Sequence, residues 1–113
     1  MTRRLNVLSG TLELLVMRTL AAQPSLHGFE ILDAIRSATD DALVVEEGAL
    51  YPALHRMEGR GWLAGSWAVS EKGRRAKYYR LTPKGKRALA RAQEDWQRYV
   101  DALARVGAAP GGG

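Results

Sequence analysis

The chain has 113 residues, 46% of them hydrophobic and 26% charged, which is typical of one globular domain and not of a disordered chain. Lys and Arg number 17 against 12 Asp and Glu, and the net charge of +5 suggests a polyanionic partner, either nucleic acid or a membrane surface. A merely soluble basic protein is the alternative. The absence of cysteine excludes a disulfide framework, a thiol nucleophile and a zinc–cysteine site. No apolar run is long enough to cross a bilayer, so we expect a cytoplasmic protein that does not bind membranes.

Helical spacing of apolar residues predicts three helices in the first half of the chain. They lie within residues 9–22, 26–41 and 46–63. The third has a proline inside it. If Gly48 is the N-cap, Pro52 lies near the helix start, where its missing N–H removes at most one helical hydrogen bond. The proline is therefore compatible with a helix.

The period then changes from helix to strand. Aromatic and β-branched residues predict strands at 62–70 and 76–82, joined by the charged glycine turn 71–75. Thr82 as N-cap and Pro83 at the first helical position start a long last helix. The predicted fold is mainly α with a small β-hairpin, a winged helix-turn-helix plus a long C-terminal dimerisation helix. The corresponding parts are a winged helix-turn-helix DNA-binding domain (1–82), a dimerisation helix (83–107) and a flexible tail (108–113).

The third helix has a face suited to reading DNA. Leu50, Leu54 and Met57 share its buried side. Arg56 can donate two hydrogen bonds to guanine or bind phosphate, and His55 can donate to a base or a phosphate. For Tyr51, core packing and DNA contact are equal alternatives, and an ordinary surface helix is the alternative for the whole face. The predicted DNA contacts on this helix are Tyr51, Pro52, His55 and Arg56.

Two glutamates lie just before this reading face. Glu46 and Glu47 suit the positive end of the helix dipole but would repel phosphate. We expect them to precede the helix and either to point away from DNA or to pair with Arg.

The hairpin turn carries charge of nearly one sign. Only Glu71 opposes its cations, and each contact of a cation with phosphate would make binding salt-dependent. A solvated tip is the alternative. In the second strand, alternation places Tyr79 and Leu81 on one face, so that one of the two tyrosines packs on the helices. The predicted wing contacts with DNA are Lys72, Arg74, Arg75 and Lys77.

The last helix carries a heptad-like stripe. Leu89, Trp96 and Leu103 repeat every seven residues, with Gln93 and Val100 at the other seam position. We expect this stripe to form a twofold homodimer interface. Packing back on the first helix of the same chain is the alternative, and both can hold. Trp96 is interpreted first as a core anchor and second as lining a cavity for a flat apolar effector.

Four segments resemble the PadR family of bacterial transcriptional regulators in order and spacing. They are GTLELLVMRTL (10–20), HGFEI (27–31), GALYPALHRMEGRGWL (48–63) and RRAKYYRLTPKGKRAL (74–89). The resemblance is to the short branch with a single C-terminal helix. It implies a dimeric winged-helix repressor of palindromic operator DNA, with Tyr51 and Pro52 in the recognition helix. Some family members respond to small aromatic effectors at the dimer interface, but no effector is carried over to this chain.

Two other functional classes compete with a repressor. A winged helix can serve as a protein-interaction module without sequence-specific DNA binding. An enzyme is disfavoured because the two histidines, His27 and His55, lie on different predicted helices and no phosphate loop, metal cluster or nucleophile–base pair is present. We expect His27 to cap or pack rather than to bind a ligand. We expect no catalytic residue, cofactor or metal.

Overall fold

The computed structural model describes residues 5–6 and 10–108. In this part of the chain the order of three helices, a hairpin and a long helix is confirmed. The helices are α1 (Leu12–Ala22), α2 (Gly28–Ala38), α3 (Glu47–Gly59) and α4 (Pro83–Arg105). The strands are β1 (Leu5–Asn6), β2 (Leu26–His27), β3 (Leu43–Val44), β4 (Leu63–Val69) and β5 (Arg75–Leu81).

The hairpin is part of a three-stranded antiparallel sheet with the order β2-β5-β4. Leu63 lies opposite Leu81 at its base and Val69 opposite Arg75 near its tip, while Leu26 pairs with Tyr79 across the other edge. The prediction of a two-stranded wing therefore missed β2, the third strand of this sheet. β2 is only two residues long, too short for alternation to identify it. A second pair, β1 with β3, is parallel and equally short.

The core lies between the helices and the inner face of the sheet. Ile31 of α2 and three α3 residues, Leu50, Leu54 and Met57, are fully buried. Each such side chain contributes about 1.5–3 kcal/mol when removed from water. The sheet adds Leu63, Tyr79 and Leu81 from one face, which confirms that the second tyrosine of the pair packs on the helices.

The start of α3 differs from the prediction. Glu46, not Gly48, is the N-cap, because its carbonyl accepts hydrogen bonds from the backbone N–H groups of Ala49 and Leu50, both at 3.0 Å. Pro52 therefore lies beyond the first helical turn, and its missing N–H leaves the carbonyl of Gly48 without its usual helical donor. Gly48 is exposed, and the helix continues through Pro52 to Gly59.

The two acidic residues thus belong to the helix instead of preceding it. Glu46 is the cap and Glu47 the first helical residue, and both are exposed. Neither forms an ion pair with an arginine in the described part of the chain. Their negative charge stabilises the helix through its dipole instead.

His27 is a cap, as expected. Its Nδ1 accepts from the backbone N–H of Glu30 at 3.3 Å, and the Glu30 carboxylate accepts from the backbone N–H of His27 at 3.0 Å. This reciprocal capping box fixes the start of α2.

The start of α4 is fastened to the turn between α3 and β4. The Thr82 hydroxyl accepts from the N–H of Gly85 at 2.9 Å and donates to the carbonyl of Gly61 at 2.6 Å. The Thr82 N–H donates to the carbonyl of Trp62 at 3.0 Å. A side chain at Gly85 would overlap that same Trp62 carbonyl, so only glycine allows this approach. The predicted N-cap and first-turn proline are confirmed.

The far end of α4 falls slightly short of the predicted boundary at 107. The helix ends at Arg105, and Gly107 has a positive φ of 78°. Of the predicted tail 108–113, residues 109–113 lie outside the described residues. None of the described helices is long and apolar enough to span a membrane.

Candidate nucleic-acid interface

The outer face of α3 is exposed, while the opposite face of the same helix is buried. Ala53 and Leu54 are 0% exposed, whereas the residues that flank them in sequence reach solvent. This division follows from helical periodicity, because the apolar positions share one side. The exposed residues of α3 include all four predicted ones: Tyr51, Pro52, His55 and Arg56.

Tyr51 packs on the protein and also reaches solvent, so its position is compatible with both alternatives that the sequence left open. It is 49% exposed, yet its ring lies against the start of α2. A Cβ built on Gly28 would be 2.7 Å from both Cε1 and Oη of Tyr51, so the glycine makes room for the ring. Contact with DNA stays a prediction for this residue.

Arg56 is part of a cluster that the sequence did not reveal. Glu13 of α1 lies 3.0 Å from Arg60 and 3.8 Å from Arg56, and the Arg60 guanidinium lies 5.0 Å from the ring centroid of Trp62. Both arginine side chains are about half exposed, so solvent screens these pairs and leaves them weak. Glu13 and Arg60 are 47 residues apart in the chain, and no sequence pattern joins them.

The tip of the wing is held by its backbone. The N–H of Ser70 donates to the carbonyl of Arg74 at 2.7 Å, and the N–H of Gly73 donates to the carbonyl of Ser70 at 2.9 Å. Three of the predicted cations, Lys72, Arg74 and Arg75, are exposed around this turn.

Trp67 is a residue of the wing that the sequence pattern did not single out. It is 59% exposed, and the Arg75 guanidinium lies 4.9 Å from its ring centroid. Such a cation–π contact contributes about 0.5–1 kcal/mol at an exposed site and restricts the Arg75 side chain. Strand alternation opposite Lys77 could have placed Trp67 on this face, since the two residues pair in register.

Lys77, the fourth predicted wing cation, has a protein partner. Its Nζ donates to Oε1 of Glu58 on α3 at 2.7 Å. The hydrogen bond with Glu58 raises the pKa of Lys77 above its ordinary value, outweighing the opposing effect of burial. Glu58 was not singled out from the sequence, because a lone carboxylate at the end of a helix carries no distinctive pattern.

The predicted stripe on α4 divides into two parts. Leu89 is 8% exposed and packs in the core beside α1, so for this residue the alternative of packing within the chain holds. Further along, Trp96 is 38% exposed and stacks on Tyr99, with 6.1 Å between ring centroids and 19° between ring planes. Trp96 is therefore only partly buried within one chain, and its interpretation as a core anchor stays a prediction for the proposed interface between subunits. Tyr99 had been missed. The exposed residues of the predicted stripe are Gln93, Trp96, Val100 and Leu103.

Comparisons with known proteins agree with this geometry. The chain is 44% identical over 61 residues to a transcriptional regulator of Mycobacterium tuberculosis, covering 54% of this chain and 52% of that protein. A transcriptional regulator from Clostridium thermocellum superposes with a TM-score of 0.79 at 27% identity, covering 88% of this chain and 95% of that one. A PadR-like transcription factor from Bacteroides fragilis superposes at 0.71 with 31% identity, covering 87% and 91%. The sequence model of the transcriptional regulator PadR-like family matches residues 16–91. The family model covers more than half of the chain, and the solved structures share its winged-helix fold with a C-terminal helix. The chain therefore belongs to the PadR-like family of transcriptional regulators, which are DNA-binding proteins and not enzymes.

Proposed function

We propose that this chain represses transcription as a homodimer that binds a palindromic operator through α3 and the wing. The observation that carries the proposal is the two-sided character of α3. Its apolar side is completely buried within one chain, while its other side presents Arg56 and His55 to solvent. A helix with this division can enter the major groove while its core packing stays intact.

The contacts divide into those that read bases and those that bind the backbone. His55 and Arg56 are adjacent in the sequence, both lie on the exposed side of α3, and both carry hydrogen-bond donors suited to guanine edges. The exposed tip cations Lys72 and Arg74 supply sequence-independent attraction to phosphates, and Arg75 does so from a position braced by Trp67.

The second copy is proposed to bind along the exposed half of α4. Trp96, Tyr99, Val100 and Leu103 leave between 37% and 61% of their surface uncovered in one chain. Large apolar and aromatic side chains on one helix face are common in twofold interfaces. The resulting dimer presents two α3 helices, spaced by about 34–36 Å or a multiple of it for two half-sites.

An effector site at Trp96 is the remaining part of the proposal. The stacked rings of Trp96 and Tyr99 present flat apolar surface at the proposed seam, which suits a planar aromatic ligand. Titration with planar aromatic compounds should quench Trp96 fluorescence and release DNA. An unchanged effector response in Trp96→Ala would contradict this assignment.

The test of DNA binding compares the DNA upstream of the protein's own gene with a scrambled duplex of equal length. We expect tighter binding to the upstream DNA at physiological salt and protection of two half-sites in a footprint. Equal binding to both duplexes would reject the proposal and favour a protein-interaction module. A reporter under the same promoter should increase when the gene is deleted, whereas a decrease would indicate an activator.

A pair of matched variants tests the wing. Arg74→Ala should lower the affinity and reduce the slope of log affinity against log salt by about 0.9 for each phosphate that the wing no longer binds. Arg105→Ala removes the same charge from the last turn of α4, at the opposite end of that helix from the wing, and should leave the slope unchanged. A slope that both variants change equally would mean that net charge, and not the wing, sets the affinity.

A further inference from the structure

An ion pair joins the wing to α3. Lys77 Nζ on β5 lies 2.7 Å from Glu58 Oε1, near the last residue of α3. The two side chains are 28% and 29% exposed, so the cation of this pair is less exposed than Arg56 and Arg60, at 53% and 50%, in their pairs with Glu13. The Lys77 ammonium also lies 5.5 Å from the ring centroid of the buried Tyr79. Both side chains are partly covered by protein, and the hydrogen bond between them is short and charge-assisted.

The backbone opposite the pair is adapted to it. Gly65 of β4 pairs in register with Tyr79, and the stem of Lys77 crosses the space where a side chain at position 65 would lie. A Cβ built there would collide with Cε of Lys77 and come within 3.2 Å of the Glu58 carboxylate. Lys77 can reach Glu58 along this path because residue 65 has no side chain.

The pair lies where the wing leaves the body of the protein. At the base of the hairpin Leu63 and Leu81 are buried, whereas residues 66–69 and 71–75 are exposed. A two-stranded hairpin that projects beyond its core has little stability of its own. A contact at this boundary therefore constrains the orientation of the whole projecting tip.

We propose that Glu58 and Lys77 are positioning residues that hold the wing at the angle at which its tip cations and the outer face of α3 meet the same DNA duplex. Lys77 then acts through the wing and not as a phosphate contact, in contrast to its assignment from the sequence. The inference rests on the proposed function, since it states how the two DNA-binding elements of that function are held together.

The two roles of Lys77 predict opposite effects for its partner. If Lys77 binds phosphate, removing Glu58 frees the ammonium and removes a negative charge near DNA, so affinity rises. If the pair fixes the wing, removing either residue lowers specific affinity. The loss is bounded by the free energy of the broken pair, because the untied wing still samples the correct angle. One charge-assisted hydrogen bond sets this bound at about tenfold per half-site.

The experiment measures specific and random DNA binding over a range of salt for Glu58→Met, Lys77→Met and the double variant. We expect both single variants to lose specific affinity, the double variant to lose no more than either one, and the salt slope of Lys77→Met to stay that of the wild type. Lys72→Met, the same substitution at the exposed tip, is the matched control and should reduce the slope by about 0.9 for each phosphate that it binds. Tighter DNA binding by Glu58→Met, or a reduced slope for Lys77→Met, would overturn the proposal.

Gly65→Ala places a Cβ against the Lys77 stem without changing any charge, so the flexible end of that stem must shift. We expect it to reduce specific affinity in the same direction as Lys77→Met and by less, again with an unchanged slope. Thermal unfolding of each variant shows whether the fold persists. Tighter specific binding or a changed slope in a folded Gly65→Ala protein would contradict the role of the pair.

Hydrogen exchange in the absence of DNA separates this inference from the proposed function. Backbone amides of residues 66–76 should exchange faster in Glu58→Met and Lys77→Met than in wild type, while amides of α1 keep their protection. Unchanged exchange in the wing would refute the positioning role of the Glu58–Lys77 pair even if the protein proves to be a repressor. Faster exchange together with equal binding of specific and random DNA would support that positioning role and reject the proposed repressor function.

Discussion

Leu103→Ala tests the assignment of the exposed half of α4 to a dimer interface. Leu103 is 59% exposed in the single chain. Full burial of a leucine side chain contributes about 1.5–3 kcal/mol, so covering this exposed share contributes about 1–2 kcal/mol, of which truncation to alanine removes about 1 kcal/mol. A twofold interface contains the residue twice, and the loss of about 2 kcal/mol corresponds to a roughly 30-fold higher dimer dissociation constant.

Sedimentation equilibrium over a concentration series measures that constant directly. Val69→Ala is the control, because Val69 is 71% exposed but lies on the wing, so its truncation should leave the dimer unchanged. Far-ultraviolet circular dichroism establishes that α4 remains helical in both variants. An unchanged dissociation constant for Leu103→Ala, or an equal weakening by Val69→Ala, would refute the assignment of this face.

Three further predictions concern stability. Gly85→Ala forces a Cβ against the carbonyl of Trp62 and should destabilise the fold by about 1–3 kcal/mol, visible as a lower melting temperature; an unchanged melting temperature would contradict the close approach described for α4. His27→Ala removes the capping box of α2 and should lower the free energy of unfolding in urea by about 1 kcal/mol, whereas His27→Asn should retain most of it. Because the hydrogen bond with Glu58 raises the pKa of Lys77, the stability difference between wild type and Lys77→Met should be constant at neutral pH and decline as pH rises beyond 10.5 through that raised pKa. A difference that disappears at neutral pH would contradict the ion pair.

The helical faces were predictable because their cause is local. Leu50, Leu54 and Met57 recur at helical spacing, and one side of α3 is buried wherever the helix is placed. Thr82 followed by Pro83 specifies a helix start through its own backbone geometry. The N-cap of α3 was harder, since glycine is a common N-cap residue, whereas Glu46 makes no side-chain capping hydrogen bond and belongs to no preferred capping type.

Residues at the same heptad position of α4 have different surroundings in the structure. Leu89 and Leu103 occupy the same heptad position, but α1 covers only the first. Heptad spacing shows which side of α4 is apolar and contains no information about how far a neighbouring helix extends.

The positioning role proposed for Lys77, in place of a phosphate contact, has the same origin. Strand alternation puts Lys77 on the same face as Tyr79, and its charge suggested phosphate. Its partner Glu58 lies 19 residues away on another element, and only the packed arrangement of α3 and β5 brings the two together. Short-range patterns identify faces, whereas pairs between elements require the tertiary structure.

Because Thr82 is hydrogen-bonded to the α3–β4 turn, a small tilt of α4 at this turn produces a larger displacement at its far end. Its 23 residues extend about 34 Å from that attachment, so a tilt of about 5° at the turn displaces the far end by roughly 3 Å. The same hydrogen bonds that begin α4 hold the carbonyls of Gly61 and Trp62, immediately after α3. In the proposed homodimer, a small change in the angle between the two α4 helices would therefore alter the distance between the two α3 helices, and with it the half-site spacing that the proposed dimer binds.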